Sequence, residues 1–268
     1  MRTLLLGALI SVAVVVGASA ADLATPPAPV YTKAPMPAAA YNWTGFYIGG
    51  NAGYASGRSD PSTTTEFTPT NYWNSLSVPQ VNAAGVGSVN HNGFVGGGQA
   101  GFNWQTGALV VGAEVEFDSF HLNASRTAGA TYLCCAGSFQ MTQSINTDWL
   151  FTARGRLGWA VNNWLFYGTG GLALTNFSHQ SVFADTFGAA ENVTDSSTKA
   201  GWVAGAGIEY GLSANWILRG EYLHLDFGSL SSISILGPVA VTGCNCTRMF
   251  HNANLTSDIG RFGIDYKL

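Results

Sequence analysis

The chain has 268 residues, of which only 10% are charged, and its formal net charge at pH 7 is −4. Soluble proteins carry nearer to about 25% charged residues, and this small negative charge, with no basic run, argues against a nucleic-acid partner. Beyond residue 20 the chain contains no apolar run of the roughly 18 residues that a transmembrane helix needs. Such a chain is typical of proteins that cross a membrane with strands.

The N-terminal segment predicts export. Arg2 precedes an apolar run over residues 4–16, which ends in the small residues Ala18-Ser19-Ala20. This layout predicts a signal peptide over residues 1–20, cleaved after Ala20, with a membrane anchor as the alternative. Residues 21–41 are rich in Pro and Ala and predict an extended periplasmic tail. Contact of this tail with peptidoglycan is an alternative to a plain linker.

Residues 42–268 contain eight segments in which apolar and polar side chains alternate, the pattern of a strand with two unlike faces. The pattern is clearest after Asp148, where Phe151, Leu157 and Trp159 share one parity and Arg154 and Arg156 share the other. The eight predicted strands cover residues 46–56, 94–105, 108–122, 148–161, 164–175, 199–210, 216–222 and the chain end at 261–268. After Tyr222 the alternation slips, which predicts a bulge or the strand leaving the membrane.

The predicted connections alternate in length. They are short at residues 106–107, 162–163 and 213–215, and long at 57–92, 123–146, 176–197 and 228–252. Outer-membrane barrels have short periplasmic turns and long external loops. The fold class that follows is all-β, an eight-stranded antiparallel up-and-down transmembrane β-barrel with four long external loops and both termini in the periplasm. Its expected surroundings are outer-membrane lipids and lipopolysaccharide, and its expected partner is the barrel-insertion machinery.

The polar face of these strands carries nearly balanced charge. It holds six acids and five bases, namely Glu114, Glu116, Asp118, Glu209, Glu221, Asp265, Arg154, Arg156, Arg219, Arg261 and Lys267. Buried charges are tolerated when they are paired, whereas Arg or Lys facing lipid costs roughly 2–4 kcal/mol. We therefore expect these charges to pair inside a plugged lumen, since eight strands leave room only for side chains. The alternative is a soluble barrel with an apolar lumen, but the aromatic residues near strand ends favour membrane girdles.

Four cysteines form two close pairs, Cys134-Cys135 and Cys244/Cys246, in two of the predicted loops. Disulfides are the default in an oxidising compartment, and four cysteines allow three connectivities. A thiolate metal site is the alternative.

The five histidines, His91, His121, His179, His224 and His251, fall in predicted loops or at the loop-proximal ends of strands. A cluster at one mouth could supply imidazole ligands for heme iron or a divalent metal. The alternative is that histidine simply suits a polar surface.

Residues 96–101 fit G-x-G-x-x-G, but no helix follows, so a dinucleotide site is not supported. No Ser–His–acid spacing is distinctive, and we expect neither an enzyme nor a cofactor other than heme.

Residues 41–54, YNWTGFYIGGNAGY, resemble the opening of the small outer-membrane antigens of the rhizobial–brucella group. The relatives of that group include the hemin-binding outer-membrane proteins of Bartonella. The likeness covers residues 41–268 and continues in RGRLG at 154–158, GGLA at 170–173, GAGIEY at 205–210 and EYL at 221–223.

This resemblance implies an OmpA-like, surface-exposed, porin-like barrel, and it supplies no ligand motif. Such barrels usually end in an aromatic residue, whereas this chain ends in Leu268. The predicted function is a structural barrel that supports envelope integrity and presents its loops outside. A surface receptor for heme or another small ligand and a narrow diffusion porin are the alternatives.

Overall fold

A computed structural model of the chain describes residues 41–69, 71–236 and 247–268. The predicted signal peptide, all of the predicted tail except Tyr41, and the pair Cys244 and Cys246 lie outside the described residues. The predicted boundaries at residues 20 and 41 therefore stay predictions.

The described residues form nine strands and one short helix. These elements are β1 (Gly45–Ser59), β2 (Ser62–Thr65), α1 (Ser77–Gly85), β3 (Val89–Thr106), β4 (Leu109–Thr131), β5 (Ser138–Val161), β6 (Trp164–Asp185), β7 (Ala190–Gly211), β8 (Trp216–Ile235) and β9 (Arg248–Lys267). The long strands pair antiparallel in chain order, and β1 also pairs with β9, which closes the sheet into a barrel. The short strand β2 adds to the outer end of β9. Among the described residues, no helix has the length and apolar character needed to cross a membrane.

Two of the tight connections require a backbone conformation with positive φ. Asn162 has φ 54° in the β5–β6 turn, and Gly107 has φ 62° in the β3–β4 turn. Two-residue hairpin turns favour Asn and Gly at such positions. These short turns lie at the end of the barrel that we assign to the periplasm, together with the C-terminus.

The outer wall of the barrel is apolar in a continuous band. Along β5, Leu157 and Trp159 are exposed, whereas their neighbours Arg156 and Gly158 point inward. Aromatic rings mark both edges of the band. Near the short turns Trp164 contacts Tyr210 and Trp216 contacts Tyr266, with ring centroids 4.6 and 5.1 Å apart. At the opposite edge Phe117 stacks on Trp149 at 6.1 Å.

The strands continue well beyond this band, so the predicted long loops are wrong in extent. β8 and β9 pair within the predicted loop 228–252, and β2 and α1 lie within the predicted loop 57–92. β4 pairs with β5 from Asn123 to Thr131, and β6 pairs with β7 up to Ala184, so residues 123–146 and 176–197 form extended hairpins. Residues 132–137 and 186–189 are all that remain of these two loops. Outside the membrane neither strand face needs to be apolar, so the alternating signal fades although pairing continues. The irregularity expected after Tyr222 lies further along β8, where the register shifts between Asp226 and Ser229.

The interior is filled by five successive layers of side chains. From the periplasmic end these are a floor, a charged layer of Glu, Asp and Arg side chains, an apolar layer, a histidine layer that contains His179 and His251, and a cap. The floor contains Tyr41, Trp43, Val110, Leu165, Tyr167 and Ile217. The apolar layer includes Phe120, Leu122, Ile145, Leu150, Phe177, Leu223 and Leu225. The cap packs Val78 and Val81 of α1 against Trp73, Tyr132, Phe139, Met141, Phe183 and Met249. Trp43, one of the aromatic residues near strand ends from which we predicted membrane girdles, is instead buried in the floor.

Candidate functional site in the barrel interior

The charged layer lies inside the membrane band. It consists of ten buried side chains, Glu114, Glu116, Asp118, Arg154, Arg156, Glu209, Arg219, Glu221, Arg261 and Asp265. They come from β4, β5, β7, β8 and β9, because every second residue of a strand points to the same face. Strand pairing places partners side by side. Glu114 lies opposite Arg154, Glu209 opposite Arg219, and Glu221 opposite Arg261.

Arg154 and Arg261 each connect three strands of the layer. Arg154 donates to Glu114 at 2.5 Å, to Glu116 at 2.7 Å and to Glu221 at 3.0 Å. Arg261 is paired with Glu116, with Glu221 and, at 3.2 Å, with Asp118. Charge-assisted hydrogen bonds of this kind are stronger than neutral ones. The two guanidinium groups therefore link β4, β5, β8 and β9 across the lumen.

Arg219 and Arg156 complete the layer on its periplasmic side. Arg219 lies 2.6 Å from Glu114, 2.9 Å from Asp265 and 3.0 Å from Glu209. Arg156 pairs with Glu209 and lies over the ring of Tyr167, with the guanidinium carbon 4.0 Å from the ring centroid. This stacking on an aromatic face adds a cation–π interaction to the ion pairs.

Sequence reasoning missed the uncharged hydrogen-bond donors of this layer. The layer holds six carboxyl groups against four guanidinium groups, so further donors are needed. The Tyr47 hydroxyl donates to Glu114 at 2.7 Å, and the Tyr167 hydroxyl donates to Glu221 at 2.9 Å. The Asn51 and Gln99 side-chain amides donate to Asp118 at 3.0 Å and to Asp265 at 2.7 Å. All four side chains have inward parity on their strands, and this parity could have identified them from the sequence.

The carboxylates of Glu114, Glu116 and Glu221 converge closely enough to surround a cation. The guanidinium of Arg154 occupies that position, since it bonds to all three. The arrangement is therefore a structural ion-pair cluster, and its positive partner comes from the chain itself.

Lys267 does not join the charged layer, contrary to the sequence prediction. Its ammonium group donates to the backbone carbonyl of Asn42 and lies 4.7 Å from the ring centroid of Tyr41. The residue is only half-buried at the periplasmic end of β9, and the described residues offer it no carboxylate partner. Lys267 has inward parity, but it lies two residues beyond Asp265, where β9 has already passed through the charged layer.

The five histidines lie in strands and do not cluster at one mouth, so the predicted loop positions are wrong. His91, His179 and His251 are buried in the interior, and the rings of His179 and His251 face each other in the histidine layer. His121 and His224 face outward, where Nδ1 of His121 lies 2.8 Å from Ser119 Oγ and Nδ1 of His224 lies 2.7 Å from Asp258. The interior histidines are thus separated from the exterior ones by the barrel wall.

Cys134 and Cys135 are exposed in the turn between β4 and β5. Cys134 Sγ lies 3.4 Å from the Ser77 hydroxyl, at the edge of a pocket of about 330 Å³. Aromatic side chains of Tyr72, Trp73, Tyr132 and Phe187 line the same pocket. Because Cys244 and Cys246 lie outside the described residues, disulfide pairing stays a prediction, which mass mapping without reductant would decide.

This barrel has an apolar outer wall and a buried ion-pair cluster, whereas a soluble barrel has a polar outer wall and an apolar interior. Backbone groups in hydrocarbon must all be paired, which this closed sheet achieves. The fold and its interior therefore define the class of transmembrane β-barrel proteins.

Comparison with known proteins agrees with this class. Residues 10–255 match the family described as outer membrane protein beta-barrel domain. The 31 kDa outer-membrane immunogenic protein of Brucella melitensis is 34% identical over 252 residues, covering 93% of both chains. The 22 kDa outer membrane protein of Rhizobium leguminosarum bv. viciae is 30% identical over 235 residues, covering 85% of this chain and 87% of that protein. The chain belongs to this outer-membrane β-barrel family, and the protein is located in the bacterial outer membrane.

Among solved structures, OprG of Pseudomonas aeruginosa aligns with a TM-score of 0.43 and 11% identity, covering 85% of this chain and 99% of that one. The family match and the two curated relatives confirm the resemblance to the Brucella and rhizobial antigens expected from residues 41–54, and with it the all-β barrel fold.

Proposed function

We propose that the protein is a closed, non-enzymatic structural barrel that supports the integrity of the outer membrane. The observation that carries this proposal is the filling of its interior. A charged layer and an apolar layer cross the lumen in succession, and their side chains are buried. In Phe120, Leu150 and Leu223 of the apolar layer the exposed fraction is 0%. Water and ions would have to displace both layers to pass.

The same filling accounts for a mechanical role. Each arginine of the charged layer holds carboxylates from more than one strand, so separating the strands that carry this layer breaks several buried ion pairs. A rigid barrel of this kind occupies and braces the bilayer without opening it. In this proposal lipids and lipopolysaccharide surround the wall, and the insertion machinery places it.

The first test is electrical. We expect the full chain, refolded in detergent and added to a planar lipid bilayer, to produce no stable single-channel steps above the baseline. A large porin added afterwards to the same bilayer provides the positive control. Reproducible steps that scale with the amount of the refolded protein would support the diffusion-porin alternative.

The second test is made in cells. A strain that lacks the protein should become more sensitive to detergent and take up more of a hydrophobic dye, and the wild-type chain supplied in trans should restore the barrier. Unchanged sensitivity in the deletion strain would contradict a role in envelope integrity.

A surface receptor for a small ligand is the second candidate, and the aromatic pocket beside α1 favours it. Tyr72 and Tyr132 line this pocket, and both donate hydrogen bonds to Asp185, at 2.6 and 3.1 Å. Aromatic walls with a few fixed polar groups are typical of ligand pockets. The predicted heme would not meet histidine there, since none of the five lines the pocket. A spectral titration of the refolded barrel with hemin, repeated with Trp73→Ala, separates this candidate from a purely structural barrel.

A further inference from the structure

The histidine layer is a second polar layer inside the barrel, and its described residues make no hydrogen bond or ion pair with the ion-pair cluster of the charged layer. It lies beyond the outer aromatic edge of the membrane band, between the apolar layer and the cap. His179 on β6, Glu191 on β7 and His251 on β9 are all buried there, with 2%, 7% and 2% of their surface exposed. Burying a carboxylate and two imidazoles between apolar layers is costly unless their polar atoms find partners.

His251 is held in a fixed orientation by its neighbours. Its Nδ1 lies 3.0 Å from Thr63 Oγ1, which in turn accepts a hydrogen bond of 2.8 Å from the Gln143 amide. Its Nε2 points to Glu191, 3.1 Å from Oε1, and to the Ser234 hydroxyl at 2.8 Å. If Nδ1–H donates to Thr63, Nε2 and the Glu191 carboxylate face each other as two acceptors, which requires a cation between them. An outer hydrogen bond of this type is the usual support of a metal-ligating histidine.

The other polar atoms of the layer are incompletely satisfied. His179 Nε2, Glu191 Oε2 and Ser181 Oγ have no hydrogen-bond partner among the described residues. The ring of His179 faces that of His251, with 6.1 Å between the centroids. His179 Nε2 therefore lies buried beside His251 and without a hydrogen-bond partner among the described residues.

We propose that the histidine layer binds a divalent transition-metal ion of the zinc class through His179, His251 and Glu191. Two imidazole nitrogens and one carboxylate oxygen form a known ligand set for zinc and its neighbours, with a fourth position for water. Nε2 of His251 and Oε1 of Glu191 already lie 3.1 Å apart. His179 would have to change its side-chain rotamer to reach the same ion, because its ring nitrogens do not lie within ligand distance of both other groups. The hydroxyls of Ser181 and Ser234 remain to hydrogen-bond the ligands and the water. The ion would tie β6, β7 and β9 together beneath the cap.

Metal content of the refolded protein tests the proposal. The full chain, without a histidine tag, is refolded in detergent with zinc chloride and passed through a desalting column. We expect it to retain about one zinc ion per barrel, as a closed site would. Since the four cysteines could also bind zinc, the same measurement is made with all four replaced by serine. A cobalt(II) form should show visible bands of nitrogen and oxygen ligation without a thiolate charge-transfer band.

Two pairs of substitutions separate the interior site from the surface. The variant His179→Gln/His251→Gln should lose the retained zinc or bind it at least 10-fold more weakly. The control variant His121→Gln/His224→Gln changes the two outward-facing histidines and should retain zinc as the wild type does. Glu191→Gln provides an independent variant if the double interior variant does not refold, and it should also weaken binding at least 10-fold.

The proposal would be overturned if the wild type retained no zinc, if Glu191→Gln retained it unchanged, or if only the cysteine replacement removed it. None of these results would alter the conductance expected for a closed barrel, so this inference and the proposed function can fail separately.

Discussion

Replacing Arg261 by methionine is expected to lower the free energy of unfolding by about 3–5 kcal/mol, the usual cost of removing one partner from a buried ion pair. Arg261 is paired with Glu116, Asp118 and Glu221, and its side chain is 1% exposed. The layer already holds six carboxyl groups against four guanidinium groups, so the loss of an arginine enlarges the imbalance. The measurement is urea-induced unfolding of the protein in phospholipid vesicles, followed by tryptophan fluorescence.

Lys267→Met provides the matched control for this variant. Lys267 belongs to the same strand but lies at the periplasmic end, half-exposed and bonded to a backbone carbonyl. Its replacement should change the free energy of unfolding by less than about 1 kcal/mol, as for other exposed charges. Adding Glu116→Gln to Arg261→Met should recover part of the lost stability, because the two residues are coupled. Equal losses in Arg261→Met and Lys267→Met would contradict the buried cluster as a source of stability.

Introducing arginine at Ala206 is the second large expected effect. Ala206 points outward on β7, midway between Tyr210 and Trp202, which mark the two aromatic edges of the band. A cationic side chain there would face hydrocarbon, at a cost of roughly 2–4 kcal/mol near the bilayer midplane. The same vesicle measurement of unfolding detects it, and the fraction of protein that inserts should fall as well.

Ser196→Arg is the matched control on the same strand. Ser196 has the same outward parity as Ala206, but it lies six positions beyond Trp202, in the part of β7 that extends past the band. The substitution should therefore leave stability and insertion nearly unchanged. A similar loss in both variants, or in neither, would mean that the apolar wall does not face lipid at Ala206.

The membrane strands, their two faces and the short turns follow from local sequence alone. In β5 the alternation of Leu157 and Trp159 with Arg154 and Arg156 identifies a strand, its two faces and the sign of each face. A two-residue side-chain period requires no knowledge of partners, because it reflects the backbone of a single strand. The short turns at Gly107 and Asn162 are equally local, since they depend on residues that accept positive φ.

The extramembrane part of the strands was not predictable in the same way. From Asn123 to Thr131 of β4, the hydroxyl side chains lie on the outward face and mainly alanine lies on the inward face, so the alternation lacks large apolar residues and is too weak to mark the strand. Its existence depends on pairing with β5, a contact between residues distant in sequence. For that reason His121 and His179, which we expected in or beside loops, were assigned to one mouth, whereas the barrel wall separates them.

The sequence by itself thus determined which residues form strands inside the membrane, which side chains face lipid and which charges point inward. Only the tertiary structure decided how those charges are paired, that Lys267 stays outside the cluster, and that His179, His251 and Glu191 meet beneath the cap. The physical reason is that the direction of a side chain and its partners are set at different levels of structure. Side-chain direction is set within each strand, whereas the height at which side chains meet depends on the register of every strand around the closed barrel.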